Sequence, residues 1–177
     1  MRFVMLFAAI VGLGVSAASA QDPFAGVTNE PRPSEFVHWD AESFAGFTKE
    51  LEGELREGPG IFGTQFAALN ALPRADHRRH DVLIIYRSGY TQPEIHETKW
   101  DLYVVLDGAG TVLLGGERVN WVEGLPQDEQ RPELSGAQEF HVTKGDILHV
   151  PARSWHQVKV ADGDSITYAL INVFEDD

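Results

Sequence analysis

His96 and His156 are two imidazoles that could share a metal ion if the fold brings them together. Each falls in a short stretch that reads as strand, turn and strand. These are residues 89–110 (GYTQPEIHETKWDLYVVLDGAG) and 145–156 (GDILHVPARSWH). A carboxylate is available near the first. Alternate residues of an extended strand share a face, so Asp101 and Tyr103 point the same way, Asp101 nearer the mouth if that face is interior. Two neutral imidazoles and one carboxylate on a rigid frame make a facial set. It suits Fe(II), with positions left for substrate or O2, and equally suits Zn(II) with a bound water. His149, on one face with Ile147, is a fourth ligand or a support for the other three. Tyr103 could hydrogen-bond a bound oxygen, and Trp100, Tyr103 and Trp155 could wall an apolar pocket.

Every member has a plainer reading. His96 at a strand end could be a surface histidine. Asp101 could cap a turn or pair with Lys99 or Arg87, His149 could be a satisfied core histidine, and Tyr103 could be core packing. Trp100 and Trp155 could close a barrel end. Glu97, adjacent to His96, is expected to point outward. His77 and His80 in the charged run 74–81 (RADHRRHD) read as a solvated loop. Nucleophile elbows, phosphate-binding Gly-rich loops and the His-Glu-x-x-His pattern are absent. Gly108-x-Gly110 reads as a hairpin turn, so it implies no dinucleotide site.

The elements that would position these residues are mostly strands. Short β-rich runs are expected at 61–66, 82–86, 102–106, 111–114, 118–122, 139–142, 147–150, 156–160 and 165–174, separated by Gly, Asp and Pro turns. This spacing suggests a β-sandwich or barrel. Residues 123–138, polar and carrying Pro126, Pro132 and Gly136, read as a loop inserted between the two stretches. One helix precedes the strands, over about 40–57. Asp40 is its N-cap, and Phe44, Phe47, Leu51 and Leu55 form one face. Gly58-Pro59-Gly60 ends it, and its apolar face is expected to cover the outside of a sheet.

The two stretches resemble the paired motifs of the cupin superfamily. In the first, His96 takes the first histidine position of a His-x-His pattern, Thr98 the second, Tyr103 the glutamate's place, and Gly110 closes the segment. In the second, Gly145, Pro151 and His156 keep the spacing, while Arg153 replaces the middle glycine. The chain is also similar to a recurrent kind of small exported cupin, through His96-Glu97, Asp101, Gly145-Asp146, His149 and Pro151. The resemblance implies an all-β fold, a single cupin-type (jelly-roll) β-barrel with one N-terminal amphipathic helix. It implies one divalent metal (Fe, Mn, Zn, Ni or Cu) held by His96, Asp101, His156 and His149, and pairing into a homodimer. Two functions stay open: a small-molecule metalloenzyme of oxygenase, isomerase or lyase type, or a non-catalytic barrel that binds a small ligand. A third reading uses the barrel for association through an outer face.

The ends and the composition narrow the setting. Arg2, the apolar run 3–15 and Ala18-Ser19-Ala20 form a signal-peptide pattern over 1–20. A proline-bearing extended arm, 21–39, follows, then the barrel domain, 40–177. The expected location is periplasmic or extracellular, with no stable membrane anchor after cleavage. With no cysteine the fold has no disulfide. Residues 21–177 are enough to bury roughly two-thirds of the unfolded chain's surface. The formal charge is −13, or −14 without Arg2. That surface repels phosphate backbones, so a small molecule rather than nucleic acid is the expected partner.

Overall fold

A computed structural model describes residues 37–53, 66–76, 78–127 and 129–175. The signal-peptide expectation and nearly all of the arm lie outside these residues, as does the end of the expected helix.

Helix α1 spans Ala41–Gly53. The Asp40 carboxylate caps it, accepting from Ser43 N (2.9 Å) and Ser43 Oγ (2.8 Å). Phe44, Phe47 and Leu51 pack on a cluster that includes Ala67, Val82, Ile84, Tyr86 and Ala169. Leu51 is 1% exposed, a burial that contributes roughly 1.5–3 kcal/mol. The helix therefore covers one sheet from outside, as its spacing implies.

Among the described residues nine strands follow: β1 (Phe66–Leu72), β2 (His80–Arg87), β3 (Lys99–Leu114), β4 (Glu117–Val119), β5 (Glu133–Ser135), β6 (Gln138–Thr143), β7 (Ile147–Val150), β8 (His156–Lys159) and β9 (Ile166–Phe174). Every pairing is antiparallel. One sheet runs β1-β2-β9-β3-β7. The other places β3 between β6 and β8. The result is a single antiparallel β-barrel with one helix. Its interior is filled by Ile85, Tyr103, Val105, Val112, Val142, Val150, Val158, Val160, Ile166 and Tyr168.

Strand β3 belongs to both sheets, and it corrects the reading of Gly108-x-Gly110 as a hairpin turn. The strand runs unbroken through both glycines. Its register against β9 slips between Val105 and Asp107, and Gly108 takes φ +72°. A Cβ at Gly108 would fall 2.0 Å from the Ser165 carbonyl oxygen. The bulge and the glycine together bend one strand across the corner between sheets. The inserted segment also differs from a plain loop, because Glu133–Ser135 pairs with β4 as β5. Of the first expected strand only Phe66 falls among the described residues, where it opens β1, which continues to Leu72.

Candidate metal centre

Segment 88–98 carries His96 but forms no strand of its own. It is tied along β8. Thr91 Oγ1 donates to the Val158 carbonyl, Gln157 Nε2 donates to the Thr91 carbonyl (2.7 Å), and Glu94 and His156 exchange both backbone hydrogen bonds (2.8 and 2.9 Å). Directly paired residues project to the same face, so Glu94 and His156 emerge side by side. Glu94 and His96, two apart in extended chain, share that face as well.

The turn before β8 completes the staple. Arg153 N donates to the His96 carbonyl at 2.7 Å. Arg153 holds φ +60°, the left-handed conformation that glycine adopts without strain. The tight turn expected of a glycine thus survives its replacement. The guanidinium supports it, donating to the Glu97 carbonyl (2.6 Å) and to both carboxylate oxygens of Glu175 (3.0 and 2.9 Å). Glu97 itself is exposed, as expected.

Asp101 enters from β3. It pairs with Val150 and shares the interior face with Tyr103. Its Oδ2 lies 3.4 Å from His96 Nε2 and 3.5 Å from His156 Nε2. Glu94 Oε2 lies 3.8 Å from His96 Nε2. One ligand atom from each of Glu94, His96 and His156 fits within 4.8 Å of the others. Donors around an ion with N and O bonds of about 2.1 Å are themselves spaced by about 3.0–3.5 Å.

The protonation pattern favours a cation. His156 Nδ1 lies 3.1 Å from the Ser154 carbonyl oxygen, which can only accept, so Nδ1 carries the proton. Nε2 then presents a bare lone pair, buried and without a hydrogen-bond partner. Burial lowers the His156 pKa, outweighing the nearby Glu94 and Asp101 carboxylates, so the ring is neutral at neutral pH. For Asp101, burial pushes the pKa up, but the His96 ring and the Lys99 ammonium outweigh it and the carboxyl is held below its ordinary value. A lone pair and a carboxylate oxygen 3.5 Å apart, both acceptors, are reconciled by a positive ion between them. The residues present fit a divalent metal.

Arg87 supports the set from inside the barrel. Its Nη2 donates to Glu94 Oε1 (3.0 Å), which leaves Glu94 Oε2 to face His96, and its Nε donates to the Tyr168 hydroxyl (2.7 Å). On the other side, Lys99 Nζ lies 3.5 Å from Asp101 Oδ1 and donates to Asn172 Oδ1 (2.8 Å).

The structure thus brings His96, Asp101 and His156 together and leaves His149 out. His149 pairs with Leu102, so it sits on the face opposite Asp101, exposed, against the edge of Trp100 (5.6 Å between centroids). Trp100 is likewise outside, 43% exposed, with Nε1 donating to Glu175 Oε1. It walls no interior pocket. Tyr103 is interior, stacked on Tyr168 at 4.7 Å. Trp155 is half-buried, with the Arg118 guanidinium 5.0 Å over its ring.

Sequence reasoning missed Glu94. The signal was the alternation itself: Glu94-x-His96 has the spacing of the His-x-His pattern. Placing His96 second in that pattern, rather than first, puts Glu94 in the first place and Asp101 in the carboxylate's place.

No protein-family model matches this chain, and no curated protein matches it in sequence. Solved structures do. A predicted oxalate decarboxylase from Thermotoga maritima aligns at TM-score 0.47 and 10% identity, over 70% of this chain and 96% of that one. A cupin 2 conserved barrel domain protein from Rhodopseudomonas palustris aligns at TM-score 0.47 and 15% identity, over 67% and 66%. The plu4264 protein from Photorhabdus luminescens aligns at TM-score 0.44 and 16% identity, over 61% and 74%. The assignment of architecture rests on this chain's own pairing, in which β3 from the first motif lies against β7 and β8 from the second. It is a single antiparallel β-barrel with the two motif segments side by side.

Proposed function

We propose that this protein is an exported single-domain metalloprotein that holds one divalent first-row ion through Glu94, His96, Asp101 and His156 and acts on a small molecule there. The observation that carries the reading is the buried, neutral His156 Nε2 facing the Asp101 carboxylate without a hydrogen-bond partner. Two imidazoles and two carboxylates, with no thiolate, suit Mn, Fe or Zn better than a soft ion. Bound, the ion would act as a Lewis acid on a substrate oxygen or on water.

The chain's own residues set the rest. Ser154 fixes the His156 tautomer, Arg87 orients Glu94, and Lys99 balances Asp101 on its far side. Such supports typically contribute about 10–100-fold in metal affinity. His96, with its side chain 24% exposed against 15% for Glu94, is the most open member and marks the side from which a substrate arrives. The ligand-barrel alternative is weakened, because Trp100, one of its three aromatic walls, lies outside.

The test is elemental analysis of protein purified without a histidine tag, beside a His96→Ala/His156→Ala double variant. Near-stoichiometric metal in the wild type, lost in the variant, is expected. No metal after reconstitution with Fe(II), Mn(II), Zn(II), Ni(II) and Cu(II) would overturn the reading. Export is tested separately, by finding the N-terminus of the protein recovered from its host at residue 21.

A further inference from the structure

The metal reading leaves one charge in the barrel without a counter-ion. Arg87 is 3% exposed and lies inside the barrel, its pairing partner being Ile166 of the core. Glu94 is the carboxylate it touches, and Glu94 is also a member of the proposed metal set. A divalent ion would be neutralised by Glu94 and Asp101 together, which leaves the guanidinium charge over. Lys99, beside Asp101, adds to the excess rather than reducing it. The Tyr168 hydroxyl that accepts from Arg87 cannot supply a negative charge at neutral pH, because burial raises its pKa to about 12.

Arg87 also has a donor to spare. Its Nε is taken by Tyr168 and its Nη2 by Glu94, while Nη1 is buried with no hydrogen-bond partner. A buried, unmade charged donor is costly unless something completes it. On the planar guanidinium Nη1 lies beside Nη2, which is itself 3.0 Å from Glu94. The unused donor therefore sits one carbon away from the nitrogen that holds Glu94, a member of the proposed metal set.

Resting on the metal reading above, we propose that the substrate is a small carboxylate anion, its charge compensating Arg87 and one of its oxygens accepting from Arg87 Nη1. A guanidinium suits this role because it stays charged and its N–H groups match the planar geometry of a carboxylate. The chain is strongly acidic overall, so an anion-selective interior is not a by-product of its surface charge.

The experiment uses acetate as probe and acetamide as its neutral isostere. Both are titrated into protein loaded with the divalent ion that elemental analysis identifies, with calorimetry and the thermal midpoint as readouts and metal content measured on every sample. Acetate is expected to bind and raise the midpoint, and acetamide to do neither over the same concentrations. Arg87→Met loses its hold on Glu94, which is expected to weaken metal affinity about 10–100-fold, so it is assayed at saturating metal; there it is expected to bind acetate at least tenfold more weakly, and Arg87→Lys to recover part of the loss. Equal behaviour of acetate and acetamide, including binding of neither, overturns the proposal. So does undiminished acetate affinity in a metal-loaded Arg87→Met, which would show that the ion alone captures the anion. Should Arg87→Met not fold, the wild-type comparison and Arg87→Lys decide. A wild type that takes up no metal overturns the metal reading and this proposal together, and the metal analysis shows which has failed.

Discussion

Strands β3 and β7 present two faces separated by one step of the pleat, the inner one against His96 and His156 and the outer one carrying His149. On the inner face, Asp101 lies opposite Val150 and reaches His96 and His156. On the outer face, Leu102 lies opposite His149, which packs on Trp100. Residue types on the two faces are similar, yet their chemistry is not. Inside, a neutral imidazole cannot turn to water for its missing partner, so its lone pair stays available to an ion. Outside, solvent satisfies the imidazole and the ring contributes only contact area. Which face a side chain takes, more than its identity, decides whether it can be a ligand here.

The largest effect expected from this contrast is on metal binding. Replacing His156 by Ala is expected to weaken metal binding by more than about 100-fold, since removing a ligand exceeds the loss of a mere supporting partner. His149→Ala is expected to leave metal content unchanged. Titration with a competing chelator measures both. Metal loss in His149→Ala with retention in His156→Ala would reverse the assignment of faces. Glu94→Gln is expected to fall between them, because the amide keeps a carbonyl oxygen but loses the charge.

That ranking also shows what the amino-acid sequence carried. The pairing of the two motifs, the helix face and the ends of β7 were legible, because apolar alternation and turn residues are local signals. Glu94 was not, because its segment is extended only through hydrogen bonds to β8, more than sixty residues away. The outward turn of His149 was not, because period-two alternation gives two faces without saying which is inner. The continuity of β3 through Gly108 was masked, since a glycine that bends a strand and a glycine that ends one look alike in sequence.

Next in size is packing. Val150 is 1% exposed, and Val150→Ala is expected to cost about 2 kcal/mol by leaving a void in the barrel. Ile147 of the same strand is 69% exposed, and Ile147→Ala is expected to stay within about 0.5 kcal/mol of wild type. Urea denaturation of the metal-free proteins separates the two. Similar costs at both positions would mean that the outer face is covered in solution.

A smaller effect follows from the depressed pKa values of His156 and Asp101 in the metal-free barrel. Burial lowers that of His156. For Asp101, burial acts in the opposite direction and is outweighed by His96 and Lys99. In both cases the unfolded chain binds the proton more readily, so stability rises with pH through the interval between the unfolded and folded values. On acidification the His156 contribution begins to fall below about pH 6.5, and that of Asp101 below about pH 3.9. Metal-free wild type should therefore lose stability between pH 7 and pH 5. His156→Gln should flatten that slope, and Asp101→Asn should change only the more acidic part. A slope unchanged in His156→Gln would place the titrating group elsewhere.

The smallest effect is expected on the outer face, at Arg153. Two terms oppose each other there. Glycine would relieve the left-handed backbone at φ +60°, while deleting the side chain removes the exposed links to the Glu97 carbonyl and to Glu175. Arg153→Gly should thus leave the urea midpoint close to wild type, whereas Arg153→Ala, which keeps the strain and loses the links, should lower it. Neither should release metal, because His96 is held to this turn through the Arg153 backbone N–H, which both variants retain. Metal loss in Arg153→Gly would mean that the guanidinium on the outside helps to set the ligand geometry inside, and that the two faces are not independent.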